Sequence, residues 1–426
     1  MKSPSGRRRK ARAPRRTAAF HPGFLTLAAF LVVASLTAGY LVLNRTDNTA
    51  PTASSKDEKK TAATATKEPE WDGKTKVLGD RSTSYTGPQK GQLKPEPLKP
   101  GEKPPQFVVF SWDGALAGDD ELFQHYRKMA KQYNAHMTFF LTGIYLLPKS
   151  KADLYSPPQH SKGSAAISYP TDDHIRTTVE QLGKAWEEGN EIGTHFNGHF
   201  CGAKGGKDWS VEEWKSEIDQ FYEFAEKWKT NTGYTEMDPL PFDFRKEVVG
   251  GRAPCLEGQP NLLKAAKSYG WRYDASSPGS FQIWPTKKNG LWDFPLQGLP
   301  YGEDQALSMD FNFLYNQTGG ETEGDPAKHP QWQQQTIDSY MAGFNRVYYG
   351  SRAPLFIGNH FEQWNGGIYM NAVDHVIENV CTKKDVKCVS FKELADWMDV
   401  QKPATLERLR TLDPAQSPSD WSTVVQ

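Results

Sequence analysis

The sequence predicts an α/β fold, a single closed or nearly closed barrel of β/α units preceded by one N-terminal transmembrane helix. Three observations lead there. From Gln106 onward, short apolar runs alternate with amphipathic stretches of about ten to twenty residues, the pattern of parallel strands joined by crossover helices. No linker-like stretch interrupts residues 106–400, so one barrel fits better than two domains. Residues 24–43 contain no charge over twenty positions, enough to cross the hydrocarbon layer as a helix.

Taken in order, residues 1–23 form a basic segment, with eight Lys and Arg and no acidic side chain among the first sixteen. By the positive-inside rule this end stays in the cytoplasm, and everything beyond residue 43 is delivered to the other side. A cleaved signal peptide would carry a shorter apolar region and a small-x-small site after it, and neither is evident. Residues 44–105 are rich in Thr, Lys, Pro, Ser and Glu, with only Trp71 and Tyr85 as aromatics. They read as a disordered stalk whose proline-dense last stretch is extended. Within the domain, 106–400, strands are expected at 107–112, 137–141, 191–194, near Val248, and at 271–273, 355–358 and 386–390, with β-rich chain over 281–297. Helices are expected over 119–133, 174–188, 211–229, 260–269, 333–348, 368–380 and through Trp397. Residues 155–170 and 304–330 look like loop insertions, and 401–426 like a C-terminal tail.

The 426 residues carry 51 basic and 51 acidic side chains, so outside the basic N-terminus the balance is 43 against 51. That mildly acidic body argues against a nucleic-acid partner, because phosphate binding needs a basic face. A content of 37% hydrophobic and 12% aromatic residues is enough for a real core. Four cysteines in an extracytoplasmic chain are compatible with disulfides in any of three pairings. Cys381 with Cys388 closes a small loop and leaves Cys201 for Cys255, which requires two distant loops to meet. Four free thiols are the alternative.

In parallel α/β folds the working groups gather at the carboxyl ends of the strands. Five polar residues fall there: Asp113, His195, Arg252, Asp274 and His360 each follow an expected strand. His195 and His199 are spaced i, i+4, so a helical or near-helical turn would aim both rings at one ion, and a carboxylate from another strand completes the set. Such a site leaves positions open for water and substrate. Asp113 alone also suits an Asp-Gly turn or a helix cap, and His360 alone suits a core or surface position. The shared location is what makes the group a candidate.

Five segments then occur in a familiar order: Phe110-Ser-Trp-Asp-Gly-Ala115, Glu191-Ile-Gly-Thr-His-Phe-Asn-Gly-His199, Gly251-Arg-Ala-Pro254, Tyr273-Asp-Ala-Ser276 and Ile357-Gly-Asn-His360. Through them the chain resembles the polysaccharide deacetylases of the NodB-homology fold, carbohydrate esterase family four, over residues 106–400. Residues 251–284 and 352–364 are similar to the longer chitin-deacetylase-like members. The resemblance implies a distorted barrel and hydrolysis of N-acetyl groups on an acetylated polysaccharide. It also implies one divalent metal ion, with zinc as the expected ion, held by Asp113, His195 and His199. Arg252 then matches the Arg of the third motif, Asp274 the Asp of the fourth, and His360 the general acid of the fifth. One position departs from the family pattern: where a second aspartate would precede Asp113 as general base, this chain has Trp112. On this reading Arg252 has lost its partner, Asp119 and Asp120 are the nearest substitute carboxylates, and Asp274 orients His360. A metal lowers the pKa of bound water to about 7 without a protein base, and a positioned base adds about 10²- to 10⁴-fold. A weakened enzyme is therefore as consistent with Trp112 as an inactive one.

Trp112, Tyr273 and Trp364 lie next to these motifs and suit either stacking on sugar faces or packing in a loop-rich rim. Two other functions compete: a glycan-binding relative without turnover, for which Trp112 is the evidence, and a non-haem iron oxygenase, since two His and a carboxylate also suit iron. The alternating β/α pattern and the other three motifs have no role in the latter.

Overall fold

A computed structural model describes residues 71–426. The basic segment, the apolar run 24–43 and the first part of the expected stalk lie outside the described residues. Among the described residues no helix is long and apolar enough to cross a membrane.

The central strand β1, Gln106–Asp113, is buried at all eight positions, as expected for a strand with parallel neighbours on both sides and cover on both faces. Strand β2, Thr138–Leu141, pairs with it on one side, and β3, Glu191–Thr194, continues beyond. From β3 the ring passes through irregular chain: Thr194 N donates to Gly250 O (3.2 Å), and Ala275 N to Gly251 O (2.9 Å). Strand β4, Tyr273–Asp274, runs parallel to β5, Leu291–Asp293. Ser308 N then donates to Gln297 O (2.8 Å) and Gly358 N to Ser308 O (2.8 Å). Strand β6, Leu355–His360, returns to β1 with His360 opposite Asp113. The ring closes, so the expected distorted α/β barrel is present, and β7, Val386–Cys388, adds to the opening residues of β1. The strand expected near Val248 is the main difference. Residues Phe244–Glu247 are helical, and the Val249-Gly250-Gly251 backbone joins the wall without forming a regular strand. A Cβ at Gly251 would lie 2.5 Å from Thr194 O, so the close approach needs glycine.

The outer helices start on local signals. Helix α1 spans Leu122–Gln132. Helix α2, Asp172–Glu187, is capped by the Thr171 side chain and has Asp172 and Asp173 in its first turn. Helix α3, Val211–Glu226, opens on a capping box of Ser210 and Glu213. Helices α4, Gln259–Ser268, α5, Asp310–Thr318, α6, His329–Tyr348, and α7, Trp364–Val380, follow, and α8, Phe391–Asp399, opens on a second capping box, Ser390 with Glu393. Helix α5 lies inside what reads in sequence as a loop insertion.

Strand alternation divides the core in two. Val108, Phe110 and Trp112 belong with the side chains of α1, α2 and α7 outside the wall. Phe107 and Val109 belong with Phe140, Tyr273, Phe294 and Phe356 inside, where Phe391 of α8 plugs the barrel, 5.3 Å from the Phe294 ring.

The expected disordered stalk is corrected from Trp71 onward. Ser82, Thr83 and Ser84 are buried. Ser84 N donates to Leu240 O (2.8 Å), Trp228 Nε1 to Ser82 O (2.7 Å) and Leu98 N to Gln401 Oε1 (2.9 Å). Composition reports whether a segment can fold alone, whereas this arm docks by hydrogen bonds on a surface already built. The C-terminal tail also packs: a further helix, Pro403–Arg410, buries Leu406 and Leu409, and Val424 and Val425 are buried beyond it.

Candidate active site

Asp113 ends β1 and points into the barrel mouth, two residues and one pleat after Ser111. Arg252 lies wholly buried beneath both. Its Nη1 donates to Asp113 Oδ1 (2.7 Å) and Ser111 Oγ (2.9 Å), and its Nε to Ala275 O (3.0 Å). Burial would raise the Asp113 pKa, but the Arg252 charge, with His195 and His360, outweighs it and holds the carboxyl below its usual range. Arg252 has therefore not lost its partner; the expectation fails because Asp113 itself takes that place.

His195 follows β3, and its Nδ1 lies 2.7 Å from Arg252 O. A carbonyl only accepts, so Nδ1 carries the proton and Nε2 keeps its lone pair. The two histidine rings lie 5.2 Å apart. Burial lowers the pKa of both, that of His199 to about 3 with help from His195 and His360. Two neutral imidazoles result, the form that binds metals. The route to this pairing differs from the expected helical turn. Residues 195–199 form a bent loop, with Phe196 at φ 60° and His199 at φ 56°, a strained conformation that something must hold. Glu217 of α3 holds it: Asn197 N donates to Oε1 (3.0 Å), Tyr155 OH donates to the same carboxylate (3.0 Å), and Asn197 Nδ2 donates to Glu217 O (2.8 Å). Cys201 and Cys255 form a disulfide joining this loop to the one that carries Arg252, and Cys381 is joined to Cys388. His199 has both of those sulfurs as neighbours, but they are spent in the disulfide and offer no thiolate.

His360 ends β6 opposite Asp113. Its Nδ1 meets Asp310 Oδ1 (2.8 Å), and its backbone N–H donates to Asp310 Oδ2 (2.6 Å). Burial alone would lower the His360 pKa; the Asp310 carboxylate, by charge and hydrogen bond, overrides it and raises the value to about 9. The expected orienting residue, Asp274, is instead bonded by Ser276 Oγ (2.6 Å), and burial pushes its pKa up to about 7. Asp310 was hidden in sequence because the barrel wall at 308–309 is irregular chain.

Asp113, His195, His199 and His360 line one cleft of about 480 Å³. Thr142 and Glu362 also line it. Thr142 is fully buried, with a hydroxyl that has no hydrogen-bond partner among the described residues, and burial raises the Glu362 pKa. Asp119 and Asp120 stand at the mouth; Asp119 pairs with His174 (3.0 Å) and Asp120 Oδ1 accepts from Leu122 N (3.3 Å). Of the three aromatic candidates, Trp364 lies beside the site, its ring 5.4 Å from that of His360. Trp112 does not: it is on the outer face of β1, 4.4 Å from the Tyr126 ring and 5.9 Å from Phe361. Tyr273 is buried inside the barrel, its hydroxyl donating to Glu191 Oε1 (2.7 Å). Both are corrected, and the causes differ: the pleat turns Trp112 to the outer face, whereas Tyr273 faces inward but packs in the barrel core and does not line the cleft.

The donor set suits a divalent ion on its chemistry: one carboxylate held ionised, with Oδ2 free of protein hydrogen bonds among the described residues, and two neutral imidazoles.

No protein-family model matches the sequence, and no curated protein does. Solved structures that resemble it are polysaccharide deacetylases and carbohydrate esterases of family four. A Mycobacterium smegmatis protein described as a polysaccharide deacetylase is 16% identical at a TM-score of 0.42, covering 71% of this chain and 94% of its own. The peptidoglycan deacetylase PdaC of Bacillus subtilis is 12% identical at 0.34, covering 69% and 92%. A mutant of BA3943, a CE4 family pseudoenzyme with restored enzymatic activity, is 12% identical at 0.36, covering 73% and 74%. At such values the functional reading rests on the chain's own residues.

Proposed function

We propose that this chain is a metal-dependent polysaccharide N-deacetylase that acts outside the cytoplasm. The observation that carries the reading is a cationic acid, His360 held by Asp310, facing an ionised carboxylate and two neutral imidazoles across one cleft. Asp113, His195 and His199 hold the ion, zinc by preference for such ligands. When bound, the ion supplies Lewis acidity and acidifies water to near-neutral pKa. Arg252 keeps Asp113 ionised and fixes the tautomer of His195 through its carbonyl. His360 donates its proton to the departing amine, and Asp310 aims that donor. Trp364 stacks on a sugar face beside it.

The test is acetate release from a panel of N-acetylated glycans by the full chain, with and without a chelator. Chelator-sensitive acetate supports the reading, and its absence with every glycan overturns it. One observation favours a second reading, a glycan-binding relative without turnover: Arg252 pairs with Asp113, so a single carboxylate is left where the family motif has two. Glycan binding without acetate decides for that one.

The apolar run 24–43 anchors the chain with its N-terminus in the cytoplasm, and two disulfides suit the oxidising side. Protease added to intact cells removes the domain if this topology holds; a mature N-terminus beyond Ala38 overturns it.

A further inference from the structure

Helix α5 has aromatic residues on two opposite faces. Phe313 and Leu314 face the core, with Phe313 packed edge-on to Tyr340 at 5.0 Å. Phe311 and Tyr315 do not: they remain 37% and 38% exposed. Spaced i, i+4, they share the outer face of the helix. Each ring keeps more than a third of its surface in water, and exposed aromatic surface that continues from a cleft marks a binding surface. Its position says which. Phe311 directly follows Asp310, whose carboxylate holds His360, and its ring lies 5.9 Å from Trp364 at 66°. Trp364 in turn lies 5.4 Å from the His360 ring. A line of rings thus leaves the cleft at the general acid and runs outward along α5.

We infer that Trp364, Phe311 and Tyr315 form an aromatic rail that binds the sugars flanking the reacting one in a pyranose polymer. Pyranose rings present a face of C–H bonds that packs on an aromatic ring, and such a line takes a continuous glycan chain rather than a single sugar. The inference rests on the deacetylase reading for the chemistry in the cleft, and names a substrate class: oligomers and polymers that extend beyond the acetylated unit.

The experiment uses the full chain, β-1,4-linked N-acetylglucosamine oligomers from dimer to hexamer, and the insoluble polymer. Phe311→Ser with Tyr315→Ser is compared with wild type and with Tyr349→Ser, an aromatic 67% exposed just past the end of α6. Each ring of the rail is expected to be worth up to about tenfold in affinity for the longer chain. The double variant then raises KM for the hexamer relative to the dimer and is lost from the polymer pellet, whereas Tyr349→Ser changes neither. Tyr315→Ser alone repeats the measurement if the double variant does not fold. Should wild type release acetate while hexamer-to-dimer KM ratios and polymer binding are equal in wild type and variant, the rail is wrong and the deacetylase stands. If wild type releases no acetate but binds polymer in a way the double variant does not, the rail stands and the hydrolytic reading falls. Wild type that neither binds nor hydrolyses overturns both.

Discussion

Trp112 shows how one pleat decides a role. By the resemblance of its motif it takes the place of a general base, but its indole is on the outer face of β1 against Tyr126, Phe139 and Phe361. Trp112→Asp therefore does not restore a base. It removes a buried ring, which costs about 3–5 kcal/mol, and adds a carboxylate with no partner. The expected outcome is a strongly lowered melting temperature and no gain in acetate release; a more active, equally stable variant would refute the orientation. Asp310 is the reverse case, a residue without a motif that holds His360 charged. His360 is protonated at low pH and loses its proton as pH rises through about 9, so on the proposed mechanism it is available as an acid up to that pH. Asp310→Asn removes the partner that raises the value. Acetate release should fall by about 10²-fold or more, and the alkaline limb of the pH profile should move to lower pH. An unmoved limb would show that Asp310 does not set the proton on His360.

At the scale of elements, the arm over residues 71–105 is part of the folded domain. Gln89 Nε2 donates to Trp186 O and Asn190 O, both at 2.8 Å, and Leu93 N donates to Glu393 Oε1 (2.6 Å). Each such bond contributes about 1 kcal/mol net. A chain beginning at Gln106 should melt several degrees below one beginning at Trp71. Equal melting temperatures would mean the arm is only laid on the surface. The short strands are legible for the opposite reason to the arm. The β1 segment QFVVFSWD is nearly continuous in apolar residues, and the capping boxes at Ser210 and Ser390 are local signals.

For the molecule as a whole, the cleft depends on loops brought together from distant parts of the barrel. The Cys201–Cys255 bond ties the loop of His199 to that of Arg252, whereas Cys381–Cys388 spans only the turn between α7 and β7. If the cleft holds the proposed ion, replacing the first pair by serine should weaken divalent-ion binding by about 10- to 100-fold in a chelator competition, as loss of outer supports does in metal sites. Replacing the second pair should leave it unchanged. Equal effects of the two would remove the positioning role.

The ends of β1, β3 and β6, with Asp113, His195, His199 and His360 upon them, could be read in the amino-acid order alone, because hydrophobic runs and the residues that follow them are local features. The cysteine pairing was open in the sequence, and the structure selects Cys201 with Cys255 and Cys381 with Cys388. Three further things could not be read. The side of the wall that Trp112 and Tyr273 face depends on strand register and pleat. The partners of Arg252 and His360 depend on which carboxylate arrives in space: Asp113 lies 139 residues from Arg252, and Asp310 lies 50 residues before His360. The docking of residues 71–105 depends on acceptors that exist only after the barrel has closed. Periodicity and motif are properties of neighbours along the chain, whereas ion pairs, facing and docking are properties of neighbours across it.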